Sequence, residues 1–450
     1  MTNLDSLTKE SVGRLLWRYS LPSIVGMLVM SLYNVIDRII LGQVVGADAL
    51  SGLTITFPVM NLATAIGVLV GVGACTRVSI FLGAGNHREA SQVLGNALVL
   101  TIVNGIIYIS LFALFLDPLL RLFGASDVTI VYARDFMRWI LPGLLLINIA
   151  FGFNNIMRSS GYPNKAMVTM ILGAVCNIFL ALLFVYKLRW GIKGAAIATD
   201  ISMAITATFV MQHFISRKSR LHFVRGIYRL KWDIVRQIIS IGMAPSIINV
   251  AACLINILIN KTLLANGGDI AIATAGIFVT FTSLVTCVVL GVNMGMQPII
   301  GYNYGAGVYS RVRSTMLIAM VWGTAICTLG WIGGTFFPSE IASLFTVDQT
   351  LIEVTAEALP KAMSVFFVVG IQIIATGMLQ SIGQAGKAIF LSLTRQVLFL
   401  IPLLLIMPRS MGTDGVWWSF PLSDILATLV TFGILTFQMR ALTRRSVRPA

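Results

Sequence analysis

Twelve apolar stretches, each long enough to cross a bilayer, follow one another along the chain. Their approximate limits are 15–40, 52–78, 93–116, 136–156, 166–187, 192–214, 235–260, 271–300, 314–336, 360–381, 388–407 and 415–438. A helix needs about 20 mostly apolar residues to span a hydrocarbon core. Strand-type alternation is absent, which excludes a β-barrel. Composition leaves no other solvent than lipid. Of 450 residues, 57% are hydrophobic and 11% charged, where a soluble domain carries roughly 25% charged residues. The expected fold class is an all-α integral membrane protein with 12 transmembrane helices. Glycines and prolines inside the spans (Pro22, Gly26, Pro58, Pro245, Pro298) are compatible with this, because neighbouring helices satisfy the freed carbonyls.

Charge sets the orientation. The net charge is +15, from 32 Lys+Arg against 17 Asp+Glu. With the N-terminus in the cytoplasm, inner segments hold 20 basic residues, Arg158 and Lys165 among them, and outer segments hold nine. That bias places both termini inside and suggests a multi-pass protein of the bacterial plasma (inner) membrane. It also accounts for the basic balance, so no nucleic-acid partner is expected. The first dozen residues, MTNLDSLTKESV, are polar and lack a cleavage pattern, so no removed signal peptide is expected. Five cysteines and three histidines are scattered without metal-ligand spacing, and neither disulfides nor a metal site is expected. GxxxxGK[ST], TVGYG, GxSxG and HExxH are all missing. ATP hydrolysis, a potassium filter and a membrane hydrolase thus lack their machinery, and an enzyme is not expected. An ion gradient remains as the energy source.

The chain repeats itself. A shift of 221–223 residues places Pro22 on Pro245, Asp37 on Asn260 and Gly73 on Gly295. It also places Gly83-Ala84-Gly85 on Gly305-Ala306-Gly307, Gly161 and Lys165 on Gly383 and Lys387, and Gly191 on Gly412. Six helices per repeat is an even number, so both copies share one orientation and form a parallel internal repeat. The expected division is an N-terminal lobe over 1–214, a basic linker over 215–236, and a C-terminal lobe over 237–450. The linker reads as a cytoplasmic helix resting on anionic lipid, with a regulatory role as the alternative. Two such lobes can rock about a site between them, which is transporter architecture.

Ionisable groups inside spans cost about 3 kcal/mol each on insertion scales, so each needs a reason. Asp37 lies in SLYNVIDRIILG, three residues after Asn34 on the same helix face. It either faces a cavity and exchanges a proton or cation, or sits at the interface satisfied by Arg38 or headgroup water. The second repeat has Asn260 there, so the scaffold does not need the acid. Asp200 and Thr199 lie in the sixth span, and Asn177 in the fifth. Asp37, Asn177, Thr199 and Asp200 fall at similar depth in the first lobe. Carboxylates, amide and hydroxyl suit a proton or a sodium ion, and a helix-packing hydrogen-bond cluster is the bland alternative. Asp424 and Arg395 come at matching depth in adjacent spans, either as a structural ion pair or with a role in transport. Tyr33, Asn34, Asn154 and Gln372 are candidate polar contacts for substrate. Some of the 20 methionines and 25 phenylalanines could line an adaptable cavity.

Several ordered segments are familiar: SLPSIVGMLVMSLYNVIDRIILG with GADALSGLTITFPV, FLGAGNHREA, MRSSGYPNKAM, NIFLALLF with GIKGAAIATDIS, LFTVDQTLIE, and TGMLQSIGQAGKA. Together they resemble the multidrug and toxic compound extrusion (MATE) family, closest to its MepA-like bacterial branch, over about residues 12–440. The resemblance implies a V-shaped pair of six-helix lobes and a cation-coupled antiporter. Such a protein exports amphipathic, often cationic drugs or toxins by alternating access, in exchange for protons or sodium ions. It implies small-molecule and lipid partners, a monomer, and no cofactor beyond the transported ion. Asp37 matches the first-span coupling acid, and Asn177 and Thr199 match polar residues of the same site. Where many relatives carry Asp four residues after the asparagine, this chain has Ala181. Asp200, on the next helix, is the acid available in its place. The sodium site that some members build from acids in spans seven and ten is not expected, because those spans hold none here. A lipid-linked oligosaccharide flippase of the wider superfamily is the alternative function. It would need a strongly basic cavity, which the first-lobe spans do not offer.

Overall fold

The computed structural model describes residues 5–447, apart from 46, 124–126, 128 and 217–218. No strand occurs among the described residues. The first six spans are α1 (Val12–Val45), α2 (Ala47–Gly83), α3 (His87–Leu114), α4 (Thr129–Ser159), α5 (Pro163–Lys187) and α6 (Gly191–Ile215). A helical run from Trp232 to Gly305 follows, 74 residues long. A straight helix of that length would measure about 110 Å, over three times a hydrocarbon core of about 30 Å. It divides at Gly268, whose φ of 67° and ψ of −159° lie outside any helix and suit a residue without Cβ. The two parts are α7 (232–267) and α8 (269–305). Next come α9 (Tyr309–Phe336), α10 as Gln349–Met363 and Phe366–Ser381 bent by 50°, α11 (Ala385–Met411) and α12 (Thr413–Val447). Twelve spans result among the described residues. Each apolar stretch read from the sequence falls in one of them, except that 93–116 runs two residues past Leu114, where α3 ends. The helices run longer because their ends continue into more polar sequence, which apolarity does not mark.

The duplication is visible in backbone geometry. Between α2 and α3, Gly85 has φ 73°, and between α8 and α9, Gly307 has φ 74°. Around them the amides of Asn86 and Val308 bond to Phe81 and Asn303 carbonyls at 2.8 and 2.9 Å. Those of Gly85 and Gly307 bond to Leu82 and Tyr304 carbonyls, both at 3.2 Å. A left-handed residue closing a helix in this way is a Schellman-type stop, and glycine takes it without strain. The α4–α5 and α10–α11 turns match likewise, with Gly161 at φ 99° and Gly383 at φ 76°.

Packing divides the chain inside helices. One compact unit is built around Val25–Asn249, and the other from Thr8–Ile24 and Val250–Ala450. The division at loops read from the sequence (1–214, 215–236, 237–450) thus differs from the division by contacts. The chain passes from one unit to the other within α1 and α7, close to the matched prolines Pro22 and Pro245. Within the first unit, a Cβ on Gly73 of α2 would come 2.0 Å from the Ile238 carbonyl oxygen of α7. Within the second, a Cβ on Gly295 of α8 would come 2.6 Å from Ser20 Cα of α1. Only glycine allows backbones this close, so the repeated Gly73/Gly295 pair fixes each crossing helix to its unit.

The basic linker is not the helix expected. Its described residues form turns and irregular chain until α7 starts at Trp232. Buried Asn96 on α3 explains why. Its amide nitrogen donates to the carbonyls of Ile227 (3.3 Å) and Arg229 (3.1 Å), and its oxygen accepts from Lys231 N–H at 2.8 Å. A side chain that takes up backbone groups in this way offers the segment an alternative to helical bonds. Phe223 stacks near Phe153, Phe214 and Tyr228. The linker is therefore strapped to the first unit. Outside the spans, Asp117 accepts two hydrogen bonds from Arg134 at 2.8 and 2.7 Å. This fork holds its carboxyl below the usual carboxylate range.

Candidate functional site

Polar groups in the first unit gather where α4, α5 and α6 meet. Asn177 on α5 is fully buried. Its amide nitrogen donates to Thr199 Oγ1 on α6 at 3.1 Å, and that hydroxyl donates to the Ala195 carbonyl at 3.0 Å. Asn177 Oδ1 finds no hydrogen-bond donor. A buried amide oxygen left this way can accept from water or coordinate a cation.

Asp200 follows Thr199 and so points about 100° further round α6. It turns away from α5 and toward α4, where Gly143 makes room for it. A Cβ at Gly143 would lie 1.7 Å from Asp200 Oδ1. The Gly143 backbone is its polar neighbour, yet Oδ1 has no donor at bonding geometry. Sequence reading missed Gly143, because a small residue next to a proline signals only tolerance of close packing. Thr199 and Asp200 thus tie α6 to two different helices.

Asp37 is half-buried on α1. It lies between Ile36 and Ile40, which belong to one core with Ala181 of α5, Ala195 and Ala198 of α6, and Leu141 of α4. The α1 segment carrying the acid therefore shares one hydrophobic core with parts of the helices that carry Asn177, Thr199 and Asp200. Tyr33, one turn earlier, is within electrostatic reach of Asp37. The side chains of Asn34 and Arg38 lie outside the described residues.

Two residues expected as substrate contacts have other occupations. Asn154 is buried, donating to the Ala166 carbonyl at 2.8 Å and accepting from Arg158 at 3.0 Å. Arg158 itself, grouped with the loop charges by sequence, is 3% exposed and bonds only amide oxygens, those of Asn154 and Asn155. In the second unit, Gln372 of α10 donates to the Asp424 carbonyl (2.8 Å) and Thr428 Oγ1 (2.7 Å) of α12. Buried amides usually pair: both ends of the Asn154 amide do so within helix packing, whereas Gln372 pairs through its nitrogen and its Oε1 finds no donor. Beside Gln372, Arg395 of α11 donates to Asp424 Oδ1 at 2.5 Å, with Asp424 2% exposed.

The first-unit oxygens can do one kind of chemistry. Oδ1 of Asn177, Oγ1 of Thr199 and the carboxylates of Asp200 and Asp37 are hard, oxygen-only donors. The carboxylates can take a proton, and the oxygens together suit an alkali cation and have little affinity for soft metals. No cluster of three His, Cys, Asp or Glu side chains suited to a metal occurs among the described residues.

Comparison with known proteins bears on what such an arrangement serves. A family model described as MatE matches the chain twice, at residues 22–183 and 245–406. The FAD transporter of Shewanella oneidensis is 26% identical over 442 residues, covering 96% of each chain. The multidrug export protein MepA of Staphylococcus aureus is 25% identical over 434 residues, covering 95% of this chain and 94% of that one. Among solved structures, the MATE multidrug transporter DinF-BH is 37% identical, with a TM-score of 0.89 over 96% of this chain and 97% of that one. An outward-facing MATE family transporter of the MOP superfamily aligns with a TM-score of 0.92 over 98% and 99%, at 24% identity.

Proposed function

The chain belongs to the MatE family, and on that premise we propose that it is an antiporter exporting amphipathic, often cationic small molecules. A proton or sodium ion entering by alternating access drives the export. The observation that carries this reading is the unpaired oxygen pair, Asn177 Oδ1 and Asp200 Oδ1, buried in the spans of the first unit. Groups so placed are costly unless something binds them. The names of relatives support export of drugs, and one of them, an FAD transporter, shows that a different cargo occurs among similar chains. Binding of the ion and of the cargo must favour different states for exchange to be coupled. A cation at Asn177, Thr199 and Asp200, with Asp37 changing charge beside it, supplies that difference.

Proteoliposomes loaded with ethidium test the reading. An imposed pH or sodium step is expected to drive dye against its gradient, and whichever ion does so identifies the coupling. Reconstituted protein that moves neither dye nor FAD under either gradient overturns the proposal.

Gly143 gives a sharper check on Asp200. Gly143→Ala places a methyl where the Asp200 carboxylate lies. The displaced group is the end of a side chain, so it rotates away and the fold survives at an overpacking cost of about 1 kcal/mol. Transport per inserted molecule is expected to fall by up to about a hundredfold, as misplacement of a reacting group by an ångström can cause. Undiminished dye transport would show that the orientation of Asp200 is immaterial.

A further inference from the structure

A second polar feature of the first unit lies at the end of the spans that carries the basic linker, away from the coupling residues. There the start of α5, the end of α6 and the chain after it border a half-open cavity of about 270 Å³. Tyr162, Lys165, Gln212, His213, Ser216 and Ser219 line it, with Phe209 as an apolar wall. Among the described residues no acidic side chain lines it, and no ion pair involves Lys165. The Lys165 ammonium stands 5.3 Å over the Tyr162 ring. His213 Nε2 and Ser219 Oγ are 3.1 Å apart.

The backbone adds to this charge. Tyr162 caps α5 without a side-chain hydrogen bond, and Pro163 begins the helix. The N–H groups of Asn164 and Lys165 belong to the first turn, which has no intrahelical acceptors, and the positive end of the helix dipole lies there. A helix N-terminus together with a lysine and hydroxyls is the donor set that holds phosphate.

The repeat supplies an internal control. Lys387 occupies the position of Lys165 in the second half, after the matching turn at Gly383. Its ammonium donates to Gln438 Oε1 at 2.8 Å and lies 5.2 Å over the Phe437 ring. The second unit thus satisfies this lysine with its own side chain. The first unit leaves the equivalent charge facing a cavity.

We propose that this cavity binds a phosphate group, held by the Lys165 ammonium, the first-turn amides of α5 and the Ser216 hydroxyl. Two sources present that chemistry at the basic end of the chain: the headgroup of an anionic phospholipid and a soluble phosphate. The site is independent of the coupling residues and does not rest on the transport reading.

The test uses the purified full-length protein in detergent, with binding measured by native mass spectrometry and by thermal shift. The probes are dioctanoyl phosphatidylglycerol, dioctanoylglycerol, which lacks the phosphate, and inorganic phosphate. Phosphatidylglycerol is expected to bind, and dioctanoylglycerol to bind far more weakly. Lys165→Gln is expected to weaken phosphatidylglycerol binding about tenfold, a change worth one lost charged contact. Lys165→Arg retains most of the binding and shows that charge, not folding, is read. Lys387→Gln is expected to bind as the parent does. Binding of inorganic phosphate alone, lost in Lys165→Gln, assigns the site to a soluble phosphate. Binding of neither probe, equal binding by Lys165→Gln, or an equal loss in Lys387→Gln overturns the proposal.

Discussion

Asp37→Asn is expected to abolish extrusion of ethidium while the protein still inserts at close to the parental level. The substitution preserves shape and hydrogen-bonding capacity and removes only the ability to change charge. Folding should tolerate it for two reasons. A carboxylate in a span costs about 3 kcal/mol on insertion scales, and an amide costs less. The second repeat already carries an amide at this position, Asn260. A coupling role predicts a different fate for transport. An ion that no longer distinguishes the two states shifts nothing, however tightly cargo binds. Ethidium retention is therefore expected to match that of membranes without the protein, with the amount inserted measured on the same samples by immunoblot. Full efflux by Asp37→Asn would remove the acid from the mechanism and leave Asp200 as the sole carboxylate of the cluster.

How far the sequence disclosed these features depends on what each residue faces. Lipid reads hydropathy directly, so the spans follow from the sequence, and glycines at the matched turns, Gly85 and Gly307, mark their ends. The break at Gly268 is less visible, since glycine there stands among residues that are helical on both sides. Helix rotation is not encoded in span-level apolarity at all. Thr199 and Asp200 are neighbours in sequence, yet one meets Asn177 of α5 and the other Gly143 of α4. Only packing decides that, and it is set by small residues whose signal is the absence of a side chain. The linker misleads for the opposite reason. Its basic character suggests a helix on anionic lipid, and a single buried asparagine on another element, Asn96, takes its backbone groups instead. Asn154 and Gln372 show the same limit, because an amide in a span looks alike whether it meets cargo or a neighbouring carbonyl.

Asp424→Asn should harm yield more than transport. Arg395 of α11 donates to Asp424 Oδ1, and Gln372 of α10 donates to the Asp424 carbonyl and to Thr428. One buried residue thus ties three helices of the second unit together. Asparagine leaves the guanidinium without its counter-charge, and losing one partner of a buried pair costs about 3–5 kcal/mol. Polar contacts between membrane helices average nearer 0.6 kcal/mol, so the side-chain hydrogen bonds from Gln372, which survive the change, contribute little to offset the loss. The expected result is a clear fall in protein recovered from membranes and in melting temperature, with dye transport per recovered molecule close to parental. The double change Arg395→Met with Asp424→Leu removes both charges and keeps the volume, and it should restore most of the yield, as replacement of buried pairs by apolar residues does elsewhere. Normal yield with lost transport in Asp424→Asn would reverse the assignment and make this pair part of the transport cycle. The double variant separates the outcomes further: a structural pair can be replaced by packing, whereas a pair that must open and close cannot.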